Sequence, residues 1–233
     1  IRRGSRFEIS ENRRMLGLLG VLWRRSEGAA AIEFALVCIP LLLITIGIME
    51  FAFALFQWNA AEKATQMGVR MAVVSTPVAG GLNTFDGTGG GKIPGEEPPA
   101  DFVNTANAPI VCTGDGLSGN CTNAAASGTY TGTYQGAVHT RIVDRMRLIF
   151  PRIAASNVAV EYYFMGLGFV GRPCGPVPSV TVRLQNMNFD FIVIDALLNV
   201  FFAGGGFASS LAMPSFTATM TGEDLDTQGT GCL

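Results

Sequence analysis

The sequence predicts an α+β protein: a long N-terminal helix of membrane-spanning length continues into a small domain with a short antiparallel sheet and one or two further helices. Three observations carry this reading. The apolar run from Gly28 to Phe56 contains only Glu33 and Glu50 as charges. From Ala29 to about Val74, only Pro40 and scattered glycines interrupt helical character. After residue 137, β-rich alternating segments accompany one segment of helical period, the pattern of a small mixed domain.

The run from Gly28 to Phe56 exceeds the roughly 7–15 apolar residues of a signal-peptide core and meets the roughly 20 that a spanning helix needs. A cleaved secretory signal with its small-residue site at Ala29–Ala31 is the competing interpretation, but those alanines precede the apolar core instead of coming after it. Charge supports a membrane orientation. Residues 1–27 carry seven Arg against three Glu, a net of +4, whereas the remainder carries nine basic against fifteen acidic side chains, a net of −6. The pairs Arg13/Arg14 and Arg24/Arg25 lie N-terminal to the run, so the positive-inside rule keeps them cytoplasmic and places the chain beyond residue 56 outside. A basic head, an apolar run and an acidic body exclude a nucleic-acid binder. Apolar residues make up 48% of the chain, and much of the excess lies between Ala29 and Leu55, so this segment accounts for the positive mean hydropathy.

Residues 1–28 read as a cytoplasmic basic leader whose start is placed at Met15. Residues 29–56 read as the transmembrane helix. At about 1.5 Å per residue, a helix from Ala29 to Val74 is roughly 70 Å long against about 30 Å of hydrocarbon, so residues 57–75 are expected to project from the membrane. That part, "NAAEKATQMGVRMAVV", is amphipathic. Ala60, Ala64, Gly68 and Ala72 form a narrow strip of small side chains that admits close approach, either by another subunit or by the protein's own globular part. At Pro40 the lost hydrogen bond predicts a kink or a locally melted turn near residues 36–40.

Residues 76–136 are rich in Gly, Thr, Pro and Asn, and are expected to form a long exposed loop. "GTGGGK" lacks the spacing and the preceding strand of a phosphate loop. Residues 137–233 form the α+β extracytoplasmic domain. "AVHTRIVDRMRLIF" has helical period and stops at Pro151, while "NVAVEYYF", "SVTVRLQNM" and "MPSFTATMTGED" read as strands, about three in all. "FDFIVIDALLNVFF" is expected to be a helix, packed on the sheet or lying at the membrane interface.

Cys38 falls inside the apolar run. The other four cysteines sit in the outer part, where an oxidising compartment favours two disulfides. Cys112 and Cys121 bracket "TGDGLSGN" and are paired on proximity, leaving Cys174 with Cys232. No CxxC spacing occurs, and His139 is the single histidine, so neither a metal nor another cofactor is expected. His139 itself is expected to be solvated. No serine has a base or nucleophile-elbow context, and the sequence points to no enzyme.

The most specific stretch is "RRSEGAAAIEFALVCIPLLL", in which Glu33 is a carboxylate placed at bilayer depth, where it costs a few kcal/mol unless paired. Gly28 followed by Ala29, Ala30, Ala31, Ile32, Glu33 and Phe34 resembles the processing site of type IV prepilins of the tight-adherence class. The run continuing to Val74 is similar to the TadE-like pseudopilin family, with Asn59, Ala60, Ala64, Gly68 and Arg70 in its second motif. The resemblance covers about residues 24–75. It implies a pilin-like fold and cleavage by a prepilin peptidase between Gly28 and Ala29. It implies insertion in the bacterial inner membrane with the N-terminus cytoplasmic, and assembly with other pilins or pseudopilins and the inner-membrane pilus platform. Glu33, beside Phe34, would then pair with the freed Ala29 amine of a neighbouring subunit. A Glu snorkelling from the first helical turns to the headgroups is the plainer alternative. Major pilins of that class end soon after the helix, whereas about 160 residues come after it here, so the implied role is a minor pilin in priming, assembly or at the tip. An uncleaved signal-anchored envelope protein with an adhesive or structural outer domain is the alternative.

Overall fold

The computed structural model describes residues 26–84, 93–97, 109–123, 133–172, 176–191, 193 and 210–222. Residues 1–25 of the expected leader, Cys174 and Cys232 of the expected second disulfide, and most of the apolar stretch 192–202 lie outside these. The fold is α+β, as the sequence predicts: a long apolar N-terminal helix precedes a small domain with an antiparallel sheet and a further helix. The chain divides into two units, residues 1–52 with 192–204 and residues 53–191 with 205–233.

In the first unit, helix α1 (Ser26–Val73) begins. Phe34, Leu36, Val37, Leu41, Ile44 and Ile48 are all exposed, without partners among the described residues. A helix that is apolar all round is stable only inside a protein core or a bilayer. The helix runs unbroken through Pro40, so the melted turn expected near residues 36–40 is absent. Proline removes one N–H only, and the turns on either side keep their hydrogen bonds. Thr45 hides its hydroxyl by donating to the Leu42 carbonyl at 2.9 Å, the usual device for a hydroxyl in an apolar helix. Glu50 is buried and accepts the backbone N–H of Val193.

In the second unit, α1 changes character. Gln57, Ala61, Ala64, Thr65, Gly68, Val69, Ala72 and Val73 are buried at helical spacing, and polar residues such as Glu62 and Lys63 face out. This stripe meets an antiparallel sheet. The strands of the unit are β1 (Ile110–Gly114), β2 (Gly119–Asn123), β3 (Val158–Phe164), β4 (Pro178–Leu184), β5 (Asn188–Asp190), β6 (Ser210–Ala212) and β7 (Phe216–Thr221). Five of them form the sheet, in the order β2-β1-β3-β4-β7, and β5 pairs with β6 in a separate two-stranded ribbon. Alternation supplies the core face: Val158, Val160 and Tyr162 from β3, and Val180, Val182 and Leu184 from β4. Helix α2 (Gly136–Arg147) adds Val138, Ile142, Val143 and Met146. Arg145 and Arg147 lie in its last turn, where the helix dipole favours cations.

Three expectations are corrected. The sheet has five strands, because the supposed exposed loop 76–136 contains the β1–β2 hairpin, and its first residues Val78, Ala79 and Leu82 are in the core. Of the helix expected from Phe189, Phe189 and Asp190 lie instead in strand β5, whose register Phe189↔Leu211 pairs it with β6; beyond Phe191, only the helical Val193 of that stretch is among the described residues. His139 is not solvated but wholly buried. Its ring is held by Tyr134 and by the carbonyl of Val158, partners that periodicity does not reveal.

Candidate assembly and processing site

The residues that the sequence singles out at the start of the apolar run sit in the first turns of α1. Gly28 is half-buried, and Ala29, Ala30 and Ala31 are exposed. The Gly28–Ala29 bond therefore lies where the helix is weakest, since the first four N–H groups have no intrahelical acceptor. Glycine there costs about 1 kcal/mol relative to alanine in helix propensity, which favours local unwinding. Ala29 and Glu33 are four residues apart, on one face and about 6 Å apart along the axis. Glu33 and Phe34 are both exposed, and among the described residues no cation pairs with the Glu33 carboxylate.

The small-residue strip has found its partner within the second unit. Ala64 and Ala72 are fully buried in the core. A Cβ placed on Gly68 would stand 2.7 Å from Met146 Sδ of α2 and 3.3 Å from Val182 Cγ1 of β4. Gly68 is thus the point at which α1, α2 and the sheet come together. Ala60 is half-buried and packs at the edge of the same core. Asn59 donates to the Leu55 carbonyl at 2.9 Å, inside its own helix.

Cys112 and Cys121 stand opposite each other in the β1–β2 register and are joined by a disulfide, with Cα atoms 4.1 Å apart. The turn between them is tied by Asp115, which accepts the N–H groups of Leu117 at 2.8 Å and Ser118 at 2.7 Å and the Ser118 hydroxyl at 3.1 Å. These hydrogen bonds hold the Asp115 carboxyl below its ordinary pKa, those from the Ser118 and Leu117 amides first. Gly116 takes a φ of +96°, which an L side chain would strain.

Two polar groups escaped sequence reasoning. One is the hydrogen-bonded pair of Tyr134 and His139, set between the β1–β2 turn and β3. On the other face of the sheet, Glu161 is buried and is gripped by Arg183 through two hydrogen bonds of 2.7 and 3.1 Å, with a third from Tyr163 Oη at 3.2 Å. The Glu161 carboxylate raises the Arg183 pKa further, and burial raises that of Tyr163. Glu161 and Arg183 lie at alternate positions of their strands, between apolar neighbours; the Glu161↔Thr181 and Ala159↔Arg183 register, which no local pattern encodes, places them diagonally. Among the described residues no three His, Cys, Asp or Glu side chains gather as metal ligands.

The exposed apolar turns, Glu33 near their start and the close-packed Gly68 all fall within one recognisable segment. Residues 28–70 match the TadE-like protein family. No curated protein and no solved structure matches the chain. The TadE-like segment lies wholly within α1, beginning at Gly28 and ending at the exposed Arg70. It therefore carries both the exposed apolar turns and the buried stripe, Ala61 to Val69, on which the sheet domain is built. One helix in it is long and apolar enough to cross a membrane, and none of its most apolar window is buried.

Proposed function

We propose that this protein is a minor pilin, or pseudopilin, of a tight-adherence type IV pilus or secretion system, acting in assembly, priming or at the tip. The observation that carries the proposal is the coincidence of the TadE-like match at residues 28–70 with a helix whose apolar side chains between Ile32 and Ile48 are largely exposed and whose Glu33 carboxylate is unpaired among the described residues. In this reading the protein is made as a prepilin whose leader ends at Gly28, and a prepilin peptidase frees the amine of Ala29. Residues 29–56 cross the inner membrane with the N-terminus cytoplasmic, 57–75 continue outside, and the α+β domain is periplasmic or, in the pilus, extracellular.

The surroundings of Glu33 dictate its chemistry. A carboxylate in hydrocarbon is costly unless a cation meets it, and the freed Ala29 amine of a neighbouring subunit is such a cation. Pairing would favour association and select a stagger of about one helical turn between subunits. Phe34 would pack beside that contact, and the other pilins and the inner-membrane platform are its partners. The proposed role assigns the chain no reaction of its own.

The test is the N-terminus and intact mass of the membrane-extracted full chain, expressed with and without a prepilin peptidase. A peptidase-dependent start at Ala29 supports the proposal, and Glu33→Ala should then leave cleavage intact while abolishing incorporation into pili. An uncut leader under both conditions overturns it in favour of a signal-anchored envelope protein.

A further inference from the structure

An aromatic group occupies the part of the second unit where α1 enters it. Phe53 stacks at 6.5 Å on Phe56 and edge-on at 6.3 Å against Phe189 of β5, which in turn meets Phe191 at 4.9 Å. Two positions after Phe56, Trp58 stands edge-on to Phe216 at 5.1 Å. Core aromatics would be covered, but Phe53, Phe56 and Trp58 are 46%, 67% and 41% exposed. Arg152, itself exposed, donates to Gln57 Oε1 at 3.1 Å, so a guanidinium lies at the level of the indole.

The helix itself gives the depth of this group. Counted from Ala29 at the inner membrane surface, Phe53 to Trp58 fall about 36–44 Å along the axis, against a bilayer of about 40–45 Å including headgroups. That is the layer where aromatic rings with one apolar and one wet side, and arginines beside them, are enriched.

The geometry points to a lipid-facing collar: Phe53, Phe56 and Trp58 rest in the headgroup–acyl boundary of the outer leaflet, backed by the buried Phe189 and edged by the half-buried Phe191, with Arg152 toward the phosphates. The collar rests on the reading of α1 as a membrane-spanning helix and adds that the sheet domain itself is seated on lipid. The edge-on contact of the buried Phe189 with Phe53 gives the β5–β6 ribbon a role: it braces the helix aromatics from behind. Continuity with the exposed apolar turns of α1 makes the bilayer the occupant, and Trp58 beside Arg152 suits an interface that is apolar on one side and wet on the other.

The experiment uses the full chain carrying Trp23→Phe, so that Trp58 is its one indole, in vesicles of phosphatidylcholine and phosphatidylglycerol at low protein-to-lipid ratio. Its fluorescence is quenched in turn by lipids brominated near the ester end, by lipids brominated near the methyl end, and by aqueous iodide. The collar requires ester-end quenching stronger than methyl-end quenching by about twofold or more, with iodide weaker still. Iodide quenching without lipid quenching, in protein that resists carbonate extraction, overturns the collar while the spanning helix stands. Shielding from all three quenchers that disappears on dilution in lipid overturns it in favour of a second copy. Release by carbonate overturns the spanning helix and the collar together.

Discussion

Tyr134 Oη lies 2.8 Å from Nδ1 of His139, whose Nε2 lies 3.1 Å from the carbonyl oxygen of Val158. A carbonyl only accepts, so Nε2 carries the proton, Nδ1 is a lone pair, and the tyrosine donates to it. Tyr134 Oη in turn accepts the N–H of Gly116 at 3.3 Å. The relay ties the β1–β2 turn to α2 and α2 to β3. The ring of Tyr134 lies against Gly114 and Gly119, where a Cβ would stand 2.6 and 2.7 Å from it. The relay uses the neutral imidazole, and protonation would set two donors against a hydroxyl already committed.

The first prediction rests on this tautomer. Burial holds the His139 pKa below its ordinary 6.5, outweighing the Val158 carbonyl and the Asp115 carboxylate, which both favour the cation. Asp115 is the charged group facing it among the described residues, and the other titratable neighbour is Tyr134, whose pKa is raised chiefly by burial. Because the unfolded chain takes up a proton near pH 6.5 and the folded one only lower, stability is fully present above that pH and falls as pH drops through it. Thermal melting of the full chain in detergent should decline between roughly pH 7 and pH 5.5. Proton NMR of the single histidine should place its midpoint below 6.5. A midpoint above 6.5 would show that the imidazole is not buried as a neutral base.

Glu161 and Arg183 give the second. Removing Arg183 strands a buried carboxylate, a change that costs about 3–5 kcal/mol when both partners are fully buried. Arg183 is about a third exposed, so Arg183→Met should cost about 2–3 kcal/mol. Glu161→Gln with Arg183→Met should cost less than the sum of the two single changes, a double-mutant cycle readable in urea. Strict additivity would mean that the two side chains do not act as a pair.

Gly68 provides the third. Its Cβ-sized gap is filled by Met146 and Val182, so Gly68→Val should destabilise the domain by about 1–3 kcal/mol through overpacking. Gly68→Ala should be much milder, because the flexible Met146 thioether can shift and alanine regains about 1 kcal/mol of helix propensity. Equal melting temperatures for wild type and Gly68→Val would sink the proposed close contact.

A fourth concerns the hairpin. Cys112→Ser with Cys121→Ser opens a short loop whose closure contributes about 2–3 kcal/mol. The double variant should melt lower than wild type without reductant, and dithiothreitol should lower the melting temperature of wild type more than that of the variant. With both in dithiothreitol, the two should melt together.

Much of this was legible along the chain. A run such as Gly28 to Phe56 declares itself because its side chains need no particular partner, only an apolar surrounding. The helix at Gly136–Arg147 and the strands at Val158–Phe164 and Pro178–Leu184 were readable from period 3.6 and period 2 for the same reason. The β1–β2 hairpin was not, since its inward residues are Ile110, Cys112 and small neighbours, and Tyr134, the ring that covers Gly114 and Gly119, arrives from beyond the hairpin.

By itself, then, the sequence determined the elements whose stability is local: a helix of membrane length, its charge asymmetry, the Gly28–Glu33–Phe34 spacing and the alternating strands. Tertiary structure alone decided that the strip of Ala64, Gly68 and Ala72 serves the protein's own core, that His139 is a buried base, and that Phe189 joins Phe53. Those outcomes depend on which distant segments meet, and burial free energy is shared among partners that no single stretch of chain contains.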